Sequence, residues 1–423
     1  MENVIIENKI EKKEKLWSLN FFLLWQGQLV SAFGDVVYEI ALGFWILAVT
    51  GSTGLMGTLM AASTLPRVLI SPFAGVVVDR SDRKKIIVWM DIIRGVFITF
   101  VGVAALLGFI QVWMVFAAGV IMGICAAFFN PSIGSVVPDI VPSSKLMQAN
   151  SYFGMIRSGT NLVGNPIGGV LFQVLGAPIM FLFNGISYIL SAFTEVFIRV
   201  PKSEKQGQQY HFWTDLKEGM AFIWNFRGLR NLIFIAGILN FFFNIAIVLF
   251  IPLFQMDERL GAGKYGIAMG LLTGGMFAGM VLTSVYNIKP RFRFTIFIIT
   301  GIISCLGFAF FPYANSFILM LILLFVSGVL NAVLNVMFEA CVQLTVPQDK
   351  RGKVFSLMGT VLQGLSPIAM AVGGLLGEII SIKLIIFTCC ATAGVFFIPF
   401  IFMPTFIRFI NYDPDKQQLN EIM

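Results

Sequence analysis

Apolar residues dominate this chain in long runs that polar residues interrupt at regular intervals. Crossing a hydrocarbon core as a helix takes about 20 apolar residues. Runs of that kind lie near residues 18–48, 54–78, 84–108, 112–136, 147–172 and 175–198, and again near 229–256, 265–287, 293–311, 316–341, 354–378 and 382–405. Lipid offers no partner to a free peptide group, so each run should close its own hydrogen bonds as an α-helix. The pattern predicts an all-α integral membrane protein with twelve transmembrane helices in two six-helix bundles. A single long polar stretch separates the sets. The expected units are an N-terminal segment 1–17, a bundle 18–200, a linker 201–228, a bundle 229–405 and a tail 406–423.

Composition agrees with lipid as the main solvent. Of 423 residues, 57% are hydrophobic and 12% charged, and the mean hydropathy is +0.87; no soluble core could enclose that much apolar surface. The first apolar run is too long for a signal peptide and lacks a small-residue cleavage site. The net charge of +7 comes from basic residues gathered at the amino terminus, at Arg80 to Lys85, at Lys145, from Arg199 to Arg230, at Lys289 to Arg293 and at Lys350 to Lys353. These are the termini and the even-numbered loops, which places both termini in the cytoplasm and the chain in the cytoplasmic membrane. The charge is therefore a topology signal and not a nucleic-acid surface.

Several chemistries are absent. The five cysteines sit inside apolar runs without metal-ligand spacing, so neither a disulfide framework nor a metal site is expected. Gly261-Ala-Gly263-Lys-Tyr-Gly266 spells a dinucleotide fingerprint, but no strand precedes it. No phosphate-binding loop of the Gly-x-x-x-x-Gly-Lys-Ser/Thr type occurs, so any work must draw on a gradient. No enzyme activity and no cofactor are expected.

The halves echo each other. Val141-Pro142-Ser143-Ser144-Lys145 after span four corresponds to Val346-Pro347-Gln348-Asp349-Lys350 after span ten, with Asn130 and Asn335 upstream, and Pro166 before Gly168-Gly169 is matched by Pro367 before Gly373-Gly374. A parallel six-plus-six repeat suits a transporter that rocks two bundles about a central site.

A charge at mid-bilayer costs roughly 2.5–3.5 kcal/mol and needs a partner, a cavity or a task. Asp35 and Glu39 lie one helical turn apart on span one, and folding back about Gly51 brings Arg67 to the depth of Asp35. An Asp35–Arg67 pair is expected, leaving Glu39 to exchange a proton; the competing possibility is a static network holding span one to span two. The only histidine, His211, falls in the linker, so coupling must use carboxylates. In the second half, Asn331, Asn335 and Glu339 on span ten and Asn240 and Asn244 on span seven form polar stripes. With Phe241 beside them they could contact substrate, or simply bond helix to helix.

The loop after span two reads Gly75-Val-Val-Val-Asp79-Arg80-Ser-Asp82-Arg83-Lys84-Lys85. It resembles the Gly-x-x-x-Asp-Arg-x-Gly-Arg-Lys signature of the major facilitator superfamily, departing from it at Asp82. The resemblance implies a latch between the bundles made by Gly75, Asp79, Arg80, Arg83 and Lys84, with Asp91 and Arg94 of span three within reach. Gly164, Asn165, Pro166, Gly168 and Gly169 of span five resemble the glycine-proline motif of drug–proton antiporters, a close-packing device that Gly266, Gly270 and Gly274 answer from span eight. Gly34-Asp35, Ile40-Ala41-Leu42, Leu65-Pro66-Arg67, Pro72, Asn130-Pro131 and Val141-Pro142 together resemble the macrolide-efflux and siderophore-exporter branch. That implies exchange of protons for a small hydrophobic or amphiphilic substrate, and a monomer in the lipid bilayer is expected. A lysolipid flipping protein, a facilitator for a nutrient, metal or metabolite, and a non-transporting sensor stay open.

Overall fold

The computed structural model describes residues 16–200, 212–286 and 288–413. The lysines of the N-terminal segment, His211 and the last ten residues lie outside them, as does the side chain of Asp79. Every regular element among the described residues is helical. In the first half these are α1 (Leu19–Thr50), α2 (Thr53–Arg80), α3 (Arg83–Leu106), α4 (Val112–Ile140) and α5 (Leu146–Glu195). A connecting helix α6 (Phe212–Asn225) precedes α7 (Arg227–Val248), α8 (Phe250–Met256), α9 (Gly261–Val285), α10 (Pro290–Phe310) and α11 (Phe317–Thr345). The chain ends in α12 (Gln348–Gly364), α13 (Ser366–Ile379), α14 (Ile382–Val395), α15 (Ile398–Ile401) and α16 (Pro404–Ile410).

Ten helical stretches among the described residues are long and apolar enough to cross a membrane. One of them, 53 residues from Ser143 to Glu195, is broken at Gly176, whose φ of 73° and ψ of 172° interrupt the helix. Glycine reaches that conformation without a Cβ clash, so α5 divides into limbs 146–175 and 177–195. α2 is not among the ten; it carries Pro66 and Pro72 in its interior.

Each half packs mainly on itself: α1 and α3 on α5, α2 on α4, then α9 on α11, α10 on α14 and α7 on α13. The halves meet chiefly through two helix pairs, α2 with α13 and α5 with α9. Both contacts depend on glycine. A Cβ on Gly57 would stand 2.5 Å from the Met370 carbonyl and 2.7 Å from Gly374, and one on Gly169 would stand 2.8 Å from Gly266. Glycine is the only residue that lets backbones approach so closely. Glu378 of α13 adds a polar tie, accepting hydrogen bonds from the Ser52 hydroxyl and, at 2.8 Å, from the Gly54 amide at the start of α2, where a helix favours negative charge. Thr53 donates to the Gly374 carbonyl at 2.9 Å.

All these ties lie at the end of the helices remote from the basic loops. Toward the basic end, Gly75, Gly154, Gly159 and Gly359 have nothing within 4 Å of where a Cβ would stand. Close contact between the halves is therefore concentrated at the end remote from the basic loops. The linker helix α6 sits on α12, with Lys353 paired to Glu218 at 2.6 Å.

Candidate intramembrane charge site

The second limb of α5 lies between α1 and α3, and small residues allow the approach. A Cβ on Gly27 would meet the Ser191 hydroxyl at 2.8 Å, one on Gly34 the Ser187 hydroxyl at 2.8 Å, and one on Gly95 the Gly185 carbonyl at 3.0 Å. Helices this close can share polar side chains across their interface, and here they do.

Asp35, midway along α1, does not pair with Arg67. Its carboxylate accepts a hydrogen bond from the Tyr188 hydroxyl and another, at 3.4 Å, from the Asn184 amide. The expectation failed on rotation about the helix: residues i and i+4 differ by about 40° in azimuth. Asp35 follows Gly34 toward α5, and the charge of Arg67 acts on Glu39 instead. From Val36 to Phe44 every residue is buried except Glu39, so this carboxylate opens into a gap within otherwise enclosed packing.

Arg94 joins the next layer. Its guanidinium contacts Asp91 at 2.8 Å, donates to the Tyr188 hydroxyl at 3.4 Å and lies over the rings of Phe129 (4.0 Å) and Tyr188 (4.6 Å), a geometry that adds cation–π attraction. Asp91 and Arg94 were expected beside the loop latch. They are instead sealed in the first half, with side-chain exposures of 0% and 6%, and connect inward to Asp35. Glu195, 1% exposed, accepts from Ser191 at 3.3 Å, and the Ser191 hydroxyl also lies beside Asp91. Sequence reasoning passed over Asn184, Tyr188, Ser191 and Glu195. An acid four residues from a serine inside an apolar run was the available signal for the last two.

The latch residues are divided. Arg83 is buried and bonds Asp139 of α4 at 2.6 Å, a tie within the first half, while Arg80 is exposed and Lys84 half-buried. Asp82 caps α3, accepting from the Lys85 amide at 3.1 Å. With φ at −72°, the position needs no glycine, and an aspartate there supplies a helix-capping acceptor.

In span five, Gly164 and Gly168 face Val36, Val37 and Ile40 of α1, whereas Pro166 and Gly169 face Gly270 and Gly266 of α9. In the second half, Asn244 donates to Asn240 at 2.6 Å and Asn335 to Asn331 at 2.9 Å, so each stripe satisfies part of its bonding within one helix. Ser366 reaches Asn240 at 3.5 Å. Phe241 packs edge-on against Phe242, their centroids 5.8 Å apart. Asn335 and Glu339 are exposed.

The chain matches the family described as Major Facilitator Superfamily over residues 24–371. It is 27% identical over 390 residues to macrolide efflux protein A of Streptococcus pyogenes, covering 88% of this chain and 93% of that protein. It is 26% identical over 346 residues to the putative bacilysin exporter BacE of Bacillus subtilis, covering 80% and 83%. Among solved structures, the nucleoside transporter NupG superposes with a TM-score of 0.68 at 15% identity, over 93% of this chain and 99% of that one. A bacterial homologue of the iron transporter ferroportin in an inward-facing state gives 0.67 at 18%, over 90% and 98%. Those two likenesses concern the fold. This chain is a multi-pass membrane transporter belonging to the major facilitator superfamily.

Proposed function

We propose that the protein exports hydrophobic or amphiphilic small molecules, of macrolide or siderophore-like character, in exchange for protons by alternating access. The observation that carries this reading is Glu39: an exposed carboxylate within a buried stretch of a membrane-length helix, under the charges of Asp35 and Arg67. A carboxylate so placed can take a proton from one side and yield it to the other as the cleft changes face. In this reading the basic end is cytoplasmic, so the sparser contact between the halves there suits loading of an exporter from the cytoplasm. The self-paired asparagines and the phenylalanines of α7 and α11 offer an adaptable lining for bulky, weakly polar ligands. The export activities named for the macrolide and bacilysin relatives point the same way. Moving one charge through 100 mV supplies about 2.3 kcal/mol, roughly fiftyfold in concentration.

Inverted vesicles test the proposal. Erythromycin, a lipophilic cation and a catechol siderophore are added in turn to vesicles holding an imposed proton gradient. The expected result is collapse by at least one compound with wild-type protein and none with Glu39→Gln. Collapse of equal size in Glu39→Gln would remove Glu39 from coupling, and no collapse in folded wild type would remove antiport.

A further inference from the structure

The cluster behind Asp35 has more acid than base. Asp35, Asp91 and Glu195 face one cation, Arg94; the other titratable groups near the cluster are Tyr188 of α5, Cys125 of α4 and, on the Asp35 side, Tyr38 and Glu39 of α1. Fully ionised, the three carboxylates would leave the interior two negative charges in excess. Each uncompensated buried ion costs several kcal/mol, and the donors that reach the cluster besides Arg94 are neutral. Asp35 has two, Tyr188 and Asn184. Asp91 has the guanidinium of Arg94 at 2.8 Å and no hydrogen bond of good geometry among the described residues. Oε2 of Glu195 has no partner among them either.

Two further groups address the same space. The amide nitrogen of Gln28, which neighbours Glu195, is buried without a hydrogen-bond partner of good geometry among the described residues. Ser191 stands beside both acids, yet a hydroxyl donates only one proton. It can satisfy one ionised carboxylate. With Arg94 taken by Asp91, the donors left beside Glu195, the Ser191 hydroxyl and the Gln28 amide, are neutral and do not cancel its charge as a proton does.

We propose that Asp91 and Glu195, with the Ser191 hydroxyl between them, form a proton-binding site inside the first half, whose occupancy is transmitted to Asp35 through Arg94 and Tyr188. Its placement suits that task. Glu195 closes the last turn of α5 at the basic end, while Asp35 is midway along α1, so the chain Glu195–Ser191–Asp91–Arg94–Tyr188–Asp35 runs from near the membrane edge to its middle. A guanidinium does not release its proton in proteins, so the link through Arg94 is electrostatic and not a hopping path. When the acid pair loses its proton, Arg94 is drawn toward Asp91 and supports Asp35 less; when the pair is protonated, Arg94 serves Asp35. The use of this site in coupling rests on the export reading above, but the site itself does not.

Infrared titration of the purified protein in liposomes tests the site without any substrate. Wild type should show a carboxylic-acid carbonyl band at neutral pH that diminishes in both Glu195→Gln and Asp91→Asn. Ser191→Ala, which keeps both acids, should move the midpoint of that band by about one pH unit, a tenfold change in proton affinity. An unchanged band in the two acid variants overturns the site, and if those variants do not fold, an unmoved midpoint in Ser191→Ala overturns it. Erythromycin-driven proton flux then separates the two ideas. The band with no flux in wild type keeps the site and removes the export reading. Wild-type flux that persists in full in Glu195→Gln keeps export and overturns the role of the site in coupling.

Discussion

The two halves share a fold but not an interior. Among the described residues, the first half buries Arg83, Asp91, Arg94, Asn184 and Glu195, while the buried polar side chains of the second are the hydroxyls of Thr300, Ser304, Ser327 and Thr345. In the second half the corresponding space is filled by rings, Phe226, Phe297, Phe397, Phe406 and Phe409 forming one buried cluster. A parallel repeat has thus kept its helix contacts and diverged in its chemistry. What they keep in common is where they close: the Gly57–Gly374 contact of α2 with α13 answers the Gly169–Gly266 contact of α5 with α9. Under the proposed proton exchange, rigid apolar packing in one half and an ionisable interior in the other would let one bundle sense protons while the other supplies a stiff counterface.

That contrast predicts a graded set of effects. The largest should come from Arg94→Ala, which leaves buried carboxyls without their counter-ion and should cost about 3–5 kcal/mol; thermal unfolding in detergent reads it, and a loss under about 1 kcal/mol would mean the cluster is not ionic. Next is Gly266→Val, which drives a side chain into the Asn165 carbonyl. It should cost about 1–3 kcal/mol and hold the end opposite the basic loops apart, seen as lengthened spin-label distances across that end. Asp82→Ala should remove the α3 cap for about 1 kcal/mol, whereas Asp82→Gly should cost only a few tenths, showing that the acid is a cap and not a distortion. The smallest change belongs to the second half: Asn335→Ala should cost about 0.6 kcal/mol or less, and a value near that of Arg94→Ala would erase the contrast.

One pH effect lies outside the spans. Bonds from Arg259 hold the Asp257 carboxyl down to about 2. A depressed carboxyl contributes above its ordinary pKa and loses that contribution as pH falls through the folded value. The pairing before α9 should therefore survive at pH 4, and a carboxyl-carbon NMR titration of Asp257 should show a midpoint near 2, not in the ordinary range.

Much of this architecture is legible in the chain. The apolar runs locate the helices because length and hydropathy are local properties, and the short gap after residue 172 marks the break at Gly176. The close approach of Gly266 and Gly270 to span five is implied by the resemblance of residues 164–169 to a glycine-proline motif, with the four-residue spacing of the span-eight glycines beside it. The site was less legible. Asp35 and Glu39 stand out as charges in an apolar run, but which neighbour each meets depends on helix rotation and on contacts 150 residues away in sequence, as with Tyr188 and Asp35. Folding back on the nearest helix favoured Arg67, whereas the small residues Gly27 and Gly34 admit α5 instead. Glu195 was hidden by its place near a span end, where an acid looks like the start of a loop.

The most direct test is proton release on substrate binding by purified protein in detergent, with erythromycin as probe. The prediction is release by wild type and by the double variant Asn331→Leu/Asn335→Leu, each corrected for the substrate bound, and loss of release in Glu39→Gln despite retained binding. Release that survives in Glu39→Gln but disappears in the asparagine variant would place the proton chemistry in the second half and contradict the account.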